Sequence, residues 1–115
     1  MNQIPTQYLI TALVIVYLGW RFTSAMLLRR RLPALLAAGA QVVDVRSPAE
    51  FAVGHHEGSR NIPLDTLGSA IGALDQGRPV VVCCASGTRS GIALRILRKK
   101  GFKQVLNAGS WRSLG

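Results

Sequence analysis

The chain is poor in acid and poorer in cysteine. Its 115 residues hold five Asp or Glu against fourteen Lys or Arg, a formal charge of +9, and residues 1–28 contain no acid. So basic a chain invites a nucleic-acid reading, but aromatics make up only 6% of it and none is interleaved with the basic stretch Arg95, Arg98, Lys99 and Lys100. That stretch reads as the carboxyl end of a surface helix, where cations suit the dipole, and no nucleic-acid partner is expected. Two cysteines, Cys83 and Cys84, are adjacent, which excludes a disulfide framework and a zinc site. Two histidines, His55 and His56, are too few and too isolated to suggest a metal, and no cofactor is expected. Repeats, low-complexity tracts and long linkers are also missing, and the length leaves room for one domain.

Charge is missing in one further place. Tyr8 to Trp20, YLITALVIVYLGW, carries none, and from Ile4 to Leu28 only Arg21 is ionised. A bilayer-spanning helix needs about 20 largely apolar residues, and an arginine near its end can reach the headgroups. Tyr8, Tyr17 and Trp20 are amphipathic aromatics of the kind that gather at such interfaces. A cleaved signal peptide would place its cations before the apolar core, whereas here Arg29, Arg30 and Arg31 follow it. A packed soluble helix would show a polar face, and positions 8 to 20 offer little beyond Thr11. The expectation is a membrane anchor over residues 1–30 and a soluble domain over 31–115. By the positive-inside rule the amino terminus faces out and the domain faces the cytoplasm, as in a single-pass protein of a bacterial inner membrane.

The soluble part alternates helical and strand patterns, which predicts an α/β fold with a parallel sheet and helices on both faces. Pro33 opens a short helix through Ala38, closed by Gly39. Gln41 to Val45 is a strand. Ser47, Pro48 and Glu50 form a capping box, which accounts for Glu50 before any function is invoked. Arg60 to Ile62 is a short strand, and Asp65 caps a helix to about Leu74.

Val80-Val81-Val82-Cys83 is too short and too β-branched for a helix and reads as a buried strand. It feeds the run Cys84-Ala85-Ser86-Gly87-Thr88-Arg89, after which a helical pattern extends from Ser90 to Lys100. Cys84 then sits at a strand's carboxyl end, where open parallel sheets bind ligands, and faces the unpaired amides of a helix start. Gly87 allows the sharp turn, Ser86 and Thr88 add short hydroxyls, and Arg89 can curl back as a fixed cation. Such surroundings lower a cysteine pKa from about 8.5 to roughly 3.5–7.5. Neighbouring strand residues point to opposite faces, so Cys83 is assigned to the core.

A second stretch carries an independent signature. Val42-Val43-Asp44-Val45-Arg46-Ser47-Pro48-Ala49-Glu50-Phe51, followed by Gly54-His55-His56-Glu57-Gly58-Ser59-Arg60-Asn61-Ile62-Pro63, resembles the opening motif of the rhodanese sulfurtransferase family, D-x-R-x-x-x-E-[FY]-x-x-G-H-[IL]-x-G-[AS]-x-[NH]-[IL]-P. The loop CASGTRS is similar to that family's Cys-to-Arg turn followed by serine, and Gly101 to Gly109 with Trp111 is similar to its last strand and glycine turn. The resemblance covers roughly Pro33 to Trp111 and implies a rhodanese-like sheet of about five strands, preceded here by one transmembrane helix. The family begins with a short strand before its D-x-R motif. The corresponding residues of this chain are basic and abut the apolar run, so that strand is expected to be missing or shortened. His55 takes the position of a mainly structural histidine, and His56 replaces the usual aliphatic residue.

The resemblance also implies a reaction. Cys84 as thiolate takes the outer sulfur of thiosulfate or a persulfide donor, becomes a persulfide, and passes the sulfur to a thiol or protein acceptor, or to cyanide in vitro. Cys84 and Arg89 are the expected catalytic residues; Ala85, Ser86, Gly87, Thr88, Arg89 and Ser90 form the substrate-binding loop, and Asp44, Arg46 and Glu50 support it. Many members carry a cation directly after the cysteine, and Ala85 supplies none, which favours a persulfide donor over dianionic thiosulfate. Two other classes stay open: a non-catalytic rhodanese-like binding or sensing module at the membrane, and a phosphatase or arsenate reductase of related fold. The first is usually marked by loss of the loop cysteine, present here. The second uses a loop one residue longer.

Overall fold

The computed structural model describes residues 3–114; Met1, Asn2 and Gly115 lie outside the described residues, as do the side chains of Leu28 and Arg29 from the apolar run and its arginine flank. The chain forms two compact units, Met1–Arg31 and Leu32–Gly115.

The first unit is helical. Helix α1 runs over Thr6–Ala37, is long and apolar enough to cross a membrane, and leaves its apolar window wholly exposed. At about 1.5 Å per residue its 32 residues extend for about 48 Å, more than the roughly 30 Å of a bilayer core. Pro33 lies inside this helix and does not open a new one. Proline removes one intrahelical hydrogen bond, a local cost that the good helix formers on either side (Leu, Arg, Ala) override. Gly39, at φ +84°, ends the run in the left-handed region that glycine enters without penalty.

The second unit is a parallel sheet with helices on both faces. Its strands are β1 (Gln41–Asp44), β2 (Arg60–Asn61), β3 (Val80–Cys84) and β4 (Val105–Ser110), in the order β2-β1-β3-β4. Four strands are present among the described residues where about five were expected; the position of the family's first strand is taken by the end of α1. Between strands lie α2 (Pro48–Val53), α3 (Leu64–Leu67) and α4 (Thr88–Lys99). The expected helix from Asp65 to Leu74 is instead the four-residue α3 and a separate 3-10 turn, Ile71–Ala73, because Gly68 and Gly72 weaken helix propagation. Pro63, not Asp65, occupies its N-cap.

The two-residue period of a strand divides the core. Val43, Val80, Val82 and Cys84 pack with Leu67 of α3 and Ala93 and Leu97 of α4. Val42, Val81 and Cys83 face the other way, against Leu32, Leu35 and Leu36 and the terminal Leu114. Cys83 and Cys84 therefore belong to opposite layers, as strand alternation requires.

Candidate active site

β3 delivers Cys84 to the carboxyl edge of the sheet, and the chain turns at once into α4. Gly87 is the N-cap of α4 at φ 104°, and a Cβ built there would lie 3.2 Å from the Gly109 Cα, so both conformation and space demand glycine. The turn aims the Gly87 N–H at the Cys84 Sγ, 2.9 Å away, and the Ser90 Oγ lies 3.3 Å from the same sulfur. Burial pushes the thiol up, but hydrogen bonds that the Ser90 hydroxyl and the amides of Ser90, Ser86 and Gly87 can offer to the thiolate outweigh it, and the pKa falls below its ordinary value. Cys83 has the opposite fate. Burial, reinforced by the nearby Asp44 carboxylate, pushes its thiol up to about 12. One sulfur of the pair is thus prepared to ionise and the other is held protonated.

The loop side chains divide as their exposure dictates. Ala85, Ser86 and Thr88 face solvent, and Ser90 is fully buried. Arg89 does not curl back over the thiol. Its guanidinium grips Glu50 through two bonds, Nη1 to Oε1 at 2.7 Å and Nη2 to Oε2 at 3.0 Å. Glu50 also completes the expected capping box, accepting from the Ser47 N–H at 3.2 Å while Ser47 Oγ accepts from the Glu50 N–H at 3.2 Å. One carboxylate thereby fastens the start of α2 to the start of α4. Arg89 and the Ser47 amide hold its pKa down to about 2. Against an unfolded value near 4.3, the latch contributes its full stability above about pH 4.3 and loses it as pH falls through about 2. A carbon-detected NMR titration should give Glu50 a midpoint near 2 that moves toward 4 in Arg89→Ala; a wild-type midpoint near 4 would mean that the latch is open in solution.

Asp44 and Arg46 stand two residues apart at the end of β1 and form a buried ion pair. Arg46 Nη2 lies 2.7 Å from Asp44 Oδ2, with side chains 5% and 0% exposed. The same guanidinium donates to the Gly54 carbonyl at 2.7 Å and lies over the Trp111 ring at 4.8 Å. These two residues brace β1, the end of α2 and the terminal turn (Trp111–Leu114); neither reaches the sulfur. His55 stacks on Phe51 with ring centroids 3.7 Å apart and bonds its carbonyl through Nδ1 at 2.8 Å. Among the described residues no three His, Cys, Asp or Glu side chains gather as a metal site would need. A groove beside the loop is lined by Val45, Pro48, Pro63, Leu64 and Arg89.

One polar residue of the site is not marked by any motif in the sequence. Asn107, in β4, accepts from the Ser90 hydroxyl at 2.6 Å and donates to the Gly87 carbonyl at 3.3 Å. Its only sequence signal is an amide side chain directly after the apolar pair Val105-Leu106.

The rhodanese-like domain family matches residues 28–113. The thiosulfate sulfurtransferase GlpE of Pseudomonas aeruginosa is 44% identical over 80 residues, 66% of this chain and 73% of that one. The protein YqhL of Bacillus subtilis is 43% identical over 68 residues, 59% of this chain and 54% of its own. Among solved structures, a rhodanese with anions from E. coli aligns with a TM-score of 0.61 at 36% identity, covering 64% of this chain and 89% of that one. The human single-domain sulfurtransferase TSTD1 aligns with a TM-score of 0.61 at 32% identity, covering 73% and 88%.

Proposed function

The chain belongs to the rhodanese-like domain family and shares its general sulfur-transfer activity; from that premise we propose that Cys84 carries the transferred sulfur as a persulfide, at the cytoplasmic face of a membrane. The observation that carries this reading is the Gly87 amide 2.9 Å from Cys84 Sγ, in a turn whose amides lower that thiol's pKa while Cys83 is held protonated. The Cys84 thiolate attacks the outer sulfur of the donor. With thiosulfate, the sulfur–sulfur bond breaks and its electron pair leaves on sulfite. The new bond joins Cys84 Sγ to the outer sulfur, which keeps a negative charge and settles among the loop amides. An acceptor thiolate then attacks that outer sulfur, and Cys84 departs as thiolate.

GlpE is by its name a thiosulfate sulfurtransferase. This chain puts Ala85 after the cysteine and commits Arg89 to Glu50, so neither of these two loop positions offers a free cation to a second negative charge. A persulfide donor, with less charge to neutralise, suits the site better than thiosulfate. The helix α1 supports an anchor, and the arginines after its apolar stretch support a cytoplasmic domain.

Mass spectrometry of the full chain after exposure to a sulfur donor should show 32 Da added on Cys84, removed by an acceptor thiol; a chain that never gains that mass overturns the reading. The same chain should remain with membranes through carbonate extraction. Its release into the soluble fraction would overturn the anchor while leaving the chemistry untouched.

A further inference from the structure

β4 does not pair evenly with β3. Val82 pairs with Asn107 and Cys83 with Gly109, so Ala108 is skipped and the strand kinks beside the nucleophile loop. The kink turns the Asn107 amide toward α4, where three contacts fix its orientation. The Gly109 N–H, which can only donate, points at Asn107 Oδ1 from 2.9 Å, so that atom is the acceptor and the amide group faces the Gly87 carbonyl. The Ser90 hydroxyl, 2.6 Å from the same Oδ1, must then give Asn107 its single proton. Only lone pairs of Ser90 remain for Cys84, 3.3 Å away. A resting thiol satisfies this arrangement by donating S–H to Ser90. A thiolate does not, because it has no proton to give and needs one from the hydroxyl.

We propose that Asn107 is a positioning residue that withholds the Ser90 proton from the resting thiol, and that ionisation of Cys84 turns the hydroxyl from Asn107 onto the sulfur. The proton of Cys84 leaves to solvent and its bonding pair stays on sulfur. The Ser90 O–H bond stays intact and only rotates about Cβ–Oγ. Asn107 keeps its bond from Gly109 meanwhile, so the amide does not move. Once Sγ is bonded to a transferred sulfur, the charge sits one atom further out and the hydroxyl returns to Asn107. This assignment rests on Cys84 being the nucleophile. Other charged groups near the loop are already engaged: Arg89 of α4 with Glu50 of α2, and Asp44 with Arg46 at the end of β1. Cys83, also on β3, faces the opposite layer. Ser90 is fully buried, which leaves its hydroxyl to choose between these two protein partners.

The test is a cycle of variants in the full chain, held in detergent, reading the Cys84 pKa from the pH dependence of its alkylation by iodoacetamide. That readout needs no sulfur donor or acceptor, so failure of the sulfur-transfer reading would not disturb it. Asn107→Leu deletes the acceptor and should lower the pKa by about half a unit to one unit, since a neutral hydrogen bond no longer competes with a charge-assisted one. Ser90→Ala should raise it, and adding Asn107→Leu to Ser90→Ala should change nothing more. An equal fall with and without Ser90, or no fall at all, overturns the relay. If Asn107→Leu does not fold, Asn107→Asp keeps the shape and strengthens the acceptor. A rise in pKa larger with Ser90 than with Ala at position 90 upholds the relay, and an equal rise in both backgrounds overturns it.

Discussion

Cys84→Ser is expected to abolish sulfur transfer, by a factor of about a thousand or more, and to remove persulfide labelling, with little change in thermal stability. Serine lacks the polarisable sulfur that attacks another sulfur, and its hydroxyl does not ionise near neutral pH. Cys83→Ala should keep most of the activity. The cysteines are neighbours in sequence, so proximity to the loop does not separate them; geometry does. Cys84 meets the Gly87 amide and the Ser90 hydroxyl, whereas Cys83 packs into the apolar layer built on Leu32, Val42 and Val81, with the Asp44 carboxylate nearby. Steady-state thiosulfate:cyanide assays and intact-mass labelling of both variants check this. Equal losses of activity in two folded variants would sink the assignment of Cys84.

Asp44→Ala should cost the fold about 3–5 kcal/mol, because it strands the Arg46 guanidinium in a site that is 4% exposed. That is a large share of the roughly 5–15 kcal/mol typical of a domain. The loss should appear in urea unfolding as a lower midpoint at unchanged slope. Asp44→Asn should cost less, since an amide oxygen still accepts from Arg46. Adding Arg46→Leu to Asp44→Ala should recover part of the loss by removing the unpaired charge. A folded Asp44→Ala protein as stable as the parent would show that Arg46 finds sufficient partners in the Gly54 carbonyl and the Trp111 ring.

Much of this site is legible in the sequence because its parts are local. The run Val80 to Cys84 is apolar on both faces and forms a central strand, and Ser47, Pro48 and Glu50 cap α2 through contacts within one turn. Gly87 is legible for the same reason: a left-handed residue between a strand and a helix asks for glycine. What the local pattern does not show depends on distant residues or on competition between neighbours. Arg89 closes the loop and by position alone would reach back across it, but its guanidinium pairs with a carboxylate 39 positions away. The cap accounts for Glu50 locally, and nothing in the local pattern shows a carboxylate serving two partners. Pro33 resembled a helix start because prolines favour first turns, yet the helix before it was stable enough to continue through. Asn107 escaped because its role depends on a skipped residue in the β3 and β4 pairing, which no one-dimensional pattern displays.

If Cys84 carries the sulfur, as proposed, the opposed orientation of the two cysteines also bears on how long the protein would stay charged. Many enzymes that oxidise a cysteine sulfur carry a second thiol that attacks it and resets the site as a disulfide. Cys83 is adjacent in the chain but buried in the opposite layer of the sheet, and these are the chain's only two cysteines. On the reading proposed above, a sulfur loaded on Cys84 has no exit through Cys83. The domain would then act as a one-slot store whose residence time is set by the concentration and reach of an outside thiol, and a cell short of acceptor would accumulate it in the loaded form.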